Sequence, residues 1–159
     1  MKSTKRLKAR KIFTLIVFIF YIMILVNMLF YNRMRIRRFN AAETANATQY
    51  IRWSINLIPF KTIGKYINAF ISGSLNKWII IENLLGNILI FAPMGILLPC
   101  IFQGLRKFKR YLITMLVILI SVEAIQLLTH AGICDIDDVI LNLFGSVLFY
   151  GIYIRHKRY

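Results

Sequence analysis

The chain has 159 residues, 58% of them hydrophobic, and carries a net charge of +15 from 21 Lys and Arg against six Asp and Glu. A soluble globular domain usually contains about 45–50% apolar residues, so this composition excludes an ordinary soluble domain. Because the basic residues cluster at the ends of long apolar runs, they indicate membrane flanks and argue against a nucleic-acid-binding protein.

Four apolar runs predict an all-α, multi-span integral membrane protein with about four transmembrane helices. The first run, 12–31, has 20 residues, and a helix of that length spans about 30 Å, one hydrocarbon thickness. It is too long for the core of a signal peptide, and no small-residue cleavage site follows it. The remaining runs are 79–102, 111–128 and about 138–154.

These runs divide the chain into four parts. Residues 1–31 are a basic N-terminus with the first span, and 32–77 are an extracytoplasmic connection. Residues 78–155 form a three-helix core, and 156–159 are a basic C-terminal tail. Cys100 and Cys134 are predicted to lie on opposite membrane faces, so no disulfide is expected between them.

The connection contains one amphipathic segment after Pro59. Its apolar residues recur at i, i+3, i+4, i+7 and i+8, the spacing of one helical face. This pattern predicts a short helix in the plane of the membrane interface, and a helix packed on a soluble surface is the alternative. The apolar residues of this face are Ile63, Tyr66, Ile67, Phe70 and Ile71.

Three residues of the second span bear on its packing. Gly86 and Gly95 are predicted to permit close approach of a neighbouring helix. Pro93 lacks a backbone N–H, so a distortion of the helix is expected near the middle of the membrane.

The distribution of basic residues predicts the orientation. The N-terminus, the loop 103–110 and the C-terminus are strongly basic, whereas 130–137 holds no Lys or Arg. The positive-inside rule therefore places both termini in the cytoplasm. The arginines of 33–38 are the exception to the rule, and a three-span arrangement, with the first run lying flat or re-entering, is the alternative.

Polar residues of three distant segments are predicted to reach the same depth near the outer surface. Four of the six acidic residues lie within 121–145, although carboxylates inside a membrane are costly and usually face a cavity or a partner. The convergence predicts a hydrated pocket open to the outer leaflet or the cell exterior. Its candidate residues are Glu82, Asn83, Asn87, Glu123, Gln126, His130, Asp135, Asp137, Asp138 and Asn142.

Structural roles compete with a functional role at several of these positions. Asp135 or Asp137 could cap the fourth helix, whereas Glu123 and Asp138 lie deeper than a cap requires. The asparagines could form hydrogen bonds between helices, and Glu82 could lie at the interface beside Trp78.

The order and spacing of several motifs resemble the VanZ-like membrane protein family over about residues 50–150. The motifs are Asn-Leu-Ile-Pro-Phe at 56–60, Asn83-x3-Asn87-x3-Phe91-x-Pro93-x-Gly95 with Pro99, Ser121-x-Glu123-x2-Gln126, and Asp135-Ile-Asp137-Asp138-x3-Asn142-x2-Gly145. The family's namesake is associated with resistance to teicoplanin. Many members have an arginine shortly before the Asp-x-Asp-Asp segment, and here 130–134 contains none, so His130 is a candidate for its role.

The resemblance implies a protein of the bacterial cell membrane that lowers susceptibility to teicoplanin-type lipoglycopeptides, and it favours binding over enzymatic activity. Its pocket would bind an amphiphile, a lipid-linked cell-wall precursor or the lipoglycopeptide itself, and its other partners would be membrane lipids. A small proton-coupled transporter or flippase is one alternative, and an intramembrane hydrolase or transferase is another. No metal-ligand spacing such as His-Glu-x-x-His occurs in the sequence, and no metal or other cofactor is expected.

Overall fold

The computed structural model describes residues 2–31, 54–129 and 131–157, and nearly all of them are helical. The helices are α1 (Lys2–Val26, continued by a π-helical turn at Asn27–Tyr31), α2 (Lys61–Ser72), α3 (Lys77–Ile90), α4 (Met94–Ile101), α5 (Phe108–Leu128) and α6 (Ile136–Lys157). A 3₁₀ turn at Gln103–Arg106 joins α4 to α5. The arginines of 33–38, which are the exception to the positive-inside rule, lie outside the described residues. So does His130, one of the candidate pocket residues.

Four helical segments of the described chain are long and apolar enough to cross a membrane. They are Lys11–Phe30, Lys77–Ile101, Phe108–Leu128 and Ile136–Lys157. The second consists of α3 and α4 together, while α1, α5 and α6 supply the other three. The prediction of an all-α, multi-span membrane protein is therefore confirmed.

The second span is interrupted at Phe91–Pro93, as Pro93 predicted. Around the break, the N–H of Ala92 donates to the Leu89 carbonyl at 3.2 Å, and the N–H of Gly95 donates to the Ala92 carbonyl at 3.0 Å. These contacts between residues three apart replace the usual pattern because Pro93 has no N–H to donate. The break directs α4 along α6, where it packs closely.

Two glycines allow the second span and α6 to meet backbone to backbone. A Cβ on Gly145 would overlap the carbonyl of Ile88, and one on Gly95 would overlap the backbone of Ser146 and Tyr150. Gly95 therefore has the predicted packing role. The same prediction is wrong for Gly86, because a Cβ there would have no described atom within 4 Å.

The described core lies where α1 and α3–α6 meet. Its largest fully buried side chains include Tyr111, Met115 and Leu119 of α5, together with Phe91 at the break. Leu25 and Leu29 bring the end of α1 into the same cluster. Most of the remaining surface of α1 bears large exposed apolar side chains, which suits contact with lipid.

The fourth helix begins at Ile136, two residues before the predicted start near 138, and Asp135 directly precedes it. Asp135 belongs to β2 (Cys134–Asp135), which pairs in parallel with β1 (Ile55–Asn56). Sequence patterns gave no sign of a two-residue pairing, yet it brings the start of α2 beside the start of α6.

A helix occupies the predicted amphipathic segment, but the described protein leaves much of its apolar face uncovered. Ala69 is the buried residue of α2, whereas Ile71 is 77% exposed and Ile67 and Phe70 are also exposed. A helix packed on a soluble surface would bury these side chains. Their exposure favours the interface position that the sequence predicts.

Candidate functional site

The carboxylate of Asp137 joins α6 to α2. It is fully buried, and it accepts hydrogen bonds from the backbone N–H groups of Phe60 at 2.5 Å, Thr62 at 2.7 Å and Ile63 at 3.0 Å. A helix N-terminus offers free N–H groups and a positive dipole end. The residue before α2, Phe60, supplies no side-chain cap of its own, so Asp137 serves as the cap from another helix.

The backbone at Phe60 requires support from this contact. Its φ of 64° lies in the left-handed region, which is uncommon for a residue with a large side chain. The turn at Phe60 aims its N–H at Asp137, so the acid stabilises both the turn and the first turn of α2.

Asp135 caps α6 and binds the same segment. Its Oδ1 accepts from the N–H of Asp137 at 2.9 Å and from the side chain of Asn56 at 3.0 Å. The hydroxyl of Thr62 donates to its Oδ2 at 2.6 Å. Of the two candidate caps for the fourth helix, Asp135 is therefore the one observed.

Glu123 lies on α5 beside this junction. It is buried, and its Oε2 accepts from the backbone N–H of Asp135 at 3.2 Å. Asp138 is half-buried on α6, and the side-chain amide of Asn87 on α3 donates to its Oδ1. Carboxylates from α5 and α6 and an amide from α3 thus occur at one end of the bundle.

Asn142 lies one turn beyond Asp138 on α6 and is only 5% exposed. No donor among the described residues reaches its Oδ1. Leaving a buried acceptor unpaired costs about 1–3 kcal/mol, so this oxygen is suited to a donor from water or a ligand. We call Glu123, Asp138, Asn87 and Asn142 the acidic cluster.

The other predicted residues occupy different surroundings. The side-chain amide of Gln126 is buried and donates to the Leu29 carbonyl at 3.1 Å, which fastens the end of α1 to α5. Glu82 and Asn83 are exposed on α3, and the amide of Asn83 donates to the Ile79 carbonyl of its own helix at 2.7 Å. The structure therefore does not bring these three into the acidic cluster.

The acids perturb two neighbouring groups outside the spans. Burial raises the pKa of the Tyr66 phenol, and the negative charges of Asp138 and Asp135 raise it further. Burial also raises the pKa of the Cys134 thiol, again with contributions from nearby acids, Glu123 and Asp135. Both groups consequently remain protonated at neutral pH, and Tyr66 is available there as a hydrogen-bond donor.

A groove follows the polar side of α2, away from the apolar face that the sequence predicts. It has a volume of about 730 Å³. Thr62, which is bonded to Asp135, lies in the chain between the two lysines of this groove. The lining residues are Lys61, Gly64, Lys65, Asn68, Ala69, Ser72, Ser74 and Leu75.

Sequence reasoning also missed Asn56 and Thr62 as partners of the acids. The motif Asn-Leu-Ile-Pro-Phe at 56–60 was the available signal, because it provides the Asn56 amide and the N–H of Phe60 for these bonds. Among the described residues, no group of three or more His, Cys, Asp or Glu is placed to hold a metal ion.

Comparison with known proteins gives one family and one relative. The sequence pattern that defines the VanZ/LLP1 family matches residues 18–157. Protein VanZ of Enterococcus faecium is 29% identical over 110 residues, which cover 67% of this chain and 58% of that protein. The chain therefore spans somewhat more than half the length of this relative. No solved structure matches the chain.

Proposed function

This chain belongs to the VanZ/LLP1 family, and from that premise we propose that it lowers bacterial susceptibility to teicoplanin-type lipoglycopeptides. It acts in this proposal by binding an amphiphile, either a lipid-linked cell-wall precursor or the lipoglycopeptide, at the acidic cluster. The antibiotic class comes from the resemblance to the family's namesake. The binding site comes from the arrangement of polar side chains in this chain.

The observation that carries the binding proposal is the buried Asn142 Oδ1, which no described donor reaches. It lies one turn from the bonded pair of Asp138 and Asn87. Polar side chains buried in a membrane are costly, and apolar residues would pack these helices at lower cost. Buried polar groups in a membrane therefore usually mark a binding or conduction path. The cluster therefore favours a ligand that donates hydrogen bonds, such as an ammonium, amide or hydroxyl group.

The surroundings of the cluster favour a ligand with charges of both signs and an apolar tail. Lys61 and Lys65 line the groove on α2, where they would attract a carboxylate or phosphate. The exposed Ile67 and Ile71 on the same helix offer apolar surface at membrane depth. A lipoglycopeptide and a lipid-linked precursor both combine a polar head with a hydrocarbon chain.

The proposal places the acidic cluster at the outer surface. The opposite ends of the spans bear Arg106 and Lys107 before the third span, Lys109 and Arg110 in its first turn, and Arg155 and Lys157 in the last turn of the fourth. The positive-inside rule assigns these ends to the cytoplasm. A ligand in the outer leaflet would then reach the cluster directly.

The test compares teicoplanin and vancomycin in a susceptible Gram-positive host that expresses the chain. Tolerance to teicoplanin should rise more than tolerance to vancomycin, because teicoplanin carries an acyl tail on which a membrane protein can act. Glu123→Gln and Asp138→Asn keep side-chain size and hydrogen-bonding capacity, so both variants should accumulate normally and lose protection.

The matched control is Ser121→Ala, because Ser121 is exposed on α5 and its hydroxyl donates to the Val117 carbonyl of the same helix. It should protect as well as the unmodified chain. Equal tolerance to both antibiotics would contradict an action on the acyl tail. Full protection by both amide variants at normal abundance would remove the acidic cluster from the mechanism.

A small proton-coupled transporter or flippase is the second candidate, favoured by the burial of Glu123 in a membrane span. Buried carboxylates are common protonation sites in such proteins. Lipid or substrate movement in proteoliposomes that depends on a pH gradient, and that Glu123→Gln abolishes, would support it. Binding without movement would support the first candidate.

A further inference from the structure

A second cleft lies at the end of the bundle opposite to the acidic cluster. It has a volume of about 720 Å³. Among the described residues that line it, three are lysine or arginine, one is histidine, and none is acidic. The lining residues are Lys11, Thr14, Cys100, Ile101, Gln103, Arg106, Tyr153, His156 and Lys157. We call this the basic cleft.

Contacts within the protein fix two of the cations in the basic cleft. The Nε of Arg106 donates to the Pro99 carbonyl at 3.2 Å, which holds one edge of the guanidinium and leaves its other nitrogens for a ligand. The Nζ of Lys157 donates to the Tyr153 hydroxyl at 3.1 Å and lies 5.5 Å from the centre of that ring. Side chains held in this way lose less entropy when they bind an anion.

The backbone beneath Arg106 is fixed as well. The hydroxyl of Tyr150 donates to the Arg106 carbonyl at 2.6 Å, and the hydroxyl of Tyr153 donates to the Pro99 carbonyl at 3.4 Å. These bonds from α6 hold the 3₁₀ turn against the end of α4. The positions of these cations therefore depend on tertiary structure.

The basic cleft lies at the level where a membrane surface would be. Lys11 begins the first candidate span, Ile101 ends the second and Lys157 ends the fourth. Ile101 and Cys100 form part of its apolar wall. On α1, one turn beyond Lys11 on the same side of the helix, Leu15 is exposed, so a hydrocarbon chain leaving the cleft would meet an apolar side chain.

We propose that the basic cleft binds the phosphate group of an anionic glycerophospholipid whose acyl chains lie along α1. A guanidinium presents paired N–H donors that match phosphate oxygens. Basic pockets between transmembrane helices on the positively charged side are suited to anionic headgroups. A free phosphate ion would use the cations but would gain nothing from the apolar wall and the exposed face of α1.

Such a lipid would join segments that are distant in sequence. The phosphate would contact Lys11 from α1, Arg106 from the turn after α4, and Lys157 from α6. The site is independent of the acidic cluster, which lies at the other end of the same helices. The lipid would therefore stabilise the bundle without occupying the site proposed for the amphiphile.

The test measures thermal stability of the purified full-length protein in detergent with added phosphatidylglycerol, phosphatidylcholine or inorganic phosphate. Phosphatidylglycerol should raise Tm more than phosphatidylcholine at equal lipid concentration. Each cation near an anionic lipid surface is worth about 1 kcal/mol. Arg106→Gln combined with Lys157→Gln should therefore lower the apparent affinity for phosphatidylglycerol by roughly 30-fold.

Two further variants separate binding from folding. Lys11→Gln alters a side chain at the rim of the cleft and should lower the affinity by about fivefold. Lys109→Gln changes an exposed lysine of the same loop region that does not line the cleft, so it should keep the full preference. Equal stabilisation by the two lipids, or an unchanged preference in Lys11→Gln and in the double variant, would overturn the proposal. The full effect from inorganic phosphate alone would assign the cleft to a soluble anion instead of a lipid.

Discussion

The substitution Asp137→Asn should release α2 from the bundle. In the native protein one carboxylate oxygen accepts the N–H of Phe60, and the other accepts those of Thr62 and Ile63. An asparagine has one carbonyl oxygen, and its NH₂ group would face at least one of these N–H donors. The variant is nearly identical in size, so its effect reports on hydrogen bonding and charge.

The expected magnitude follows from the contacts that are lost. A hydrogen bond to a charged acceptor contributes about 1.5–3 kcal/mol, and a negative charge at a helix N-terminus contributes about 0.3–1 kcal/mol. Losing one such bond and the charge should weaken docking of α2 by about 3 kcal/mol. The ratio of undocked to docked α2 would then rise roughly 150-fold.

A cysteine at Ala69 gives a direct measurement, because Ala69 is 7% exposed and is the buried residue of α2. Ala69→Cys is introduced into a background in which Cys100 and Cys134 are serine, and its maleimide labelling rate is compared with and without Asp137→Asn. Asn68→Cys, at an exposed position on the polar side of α2, gives the maximum rate for a cysteine on this helix.

Asp137→Asn should raise the labelling rate at Ala69→Cys towards that of Asn68→Cys, with monodisperse protein of equal amount in each sample. An unchanged, slow rate at Ala69→Cys would refute the reasoning. It would mean that the apolar contacts of α2, and not the buried acid, hold the helix in place.

Two other predictions concern packing and orientation. Gly145→Ala should strongly reduce the accumulation and Tm of the protein, because its Cβ would overlap the Ile88 carbonyl. A Cβ in Gly86→Ala would meet no described atom within 4 Å, so this variant should stabilise α3 by up to about 1 kcal/mol. Similar Tm values for the two variants would contradict the backbone contact. Ile133→Cys and Gln103→Cys place single cysteines at exposed positions in a background without native cysteines. An impermeant maleimide applied to intact cells should label Ile133→Cys but not Gln103→Cys. Labelling of both would contradict the four-span orientation.

The sequence alone predicted most of the secondary structure because the relevant physics is local. A backbone inside a membrane must satisfy its hydrogen bonds within the helix, so a long apolar run already determines a spanning helix. Pro93 likewise broke the second span through the N–H that it lacks. The helix at Lys61–Ser72 followed from its periodicity, since that pattern depends on neighbouring residues only.

The partners of the polar residues depended on tertiary structure. Asp137 lies at the start of its own helix and was one of two candidate caps for it, but it caps a different helix, whose first residues lie 74 to 77 positions earlier in the chain. Gly86 and Gly95 looked equivalent in the sequence, yet only Gly95 meets another backbone. In the same way, Gln126 was grouped with Glu123 by spacing, and it instead binds the carbonyl of Leu29.

The basic cleft shows most clearly which features the sequence determined and which depended on tertiary structure. The sequence determined that cations flank the spans, because charged side chains avoid the hydrocarbon region and accumulate at its edge. It did not determine that cations from α1, the 3₁₀ turn and α6 line one cleft. That arrangement arose only because Gly95 and Gly145 let the second span approach α6, which sets Pro99 beside Tyr153 and gives Arg106 a fixed acceptor.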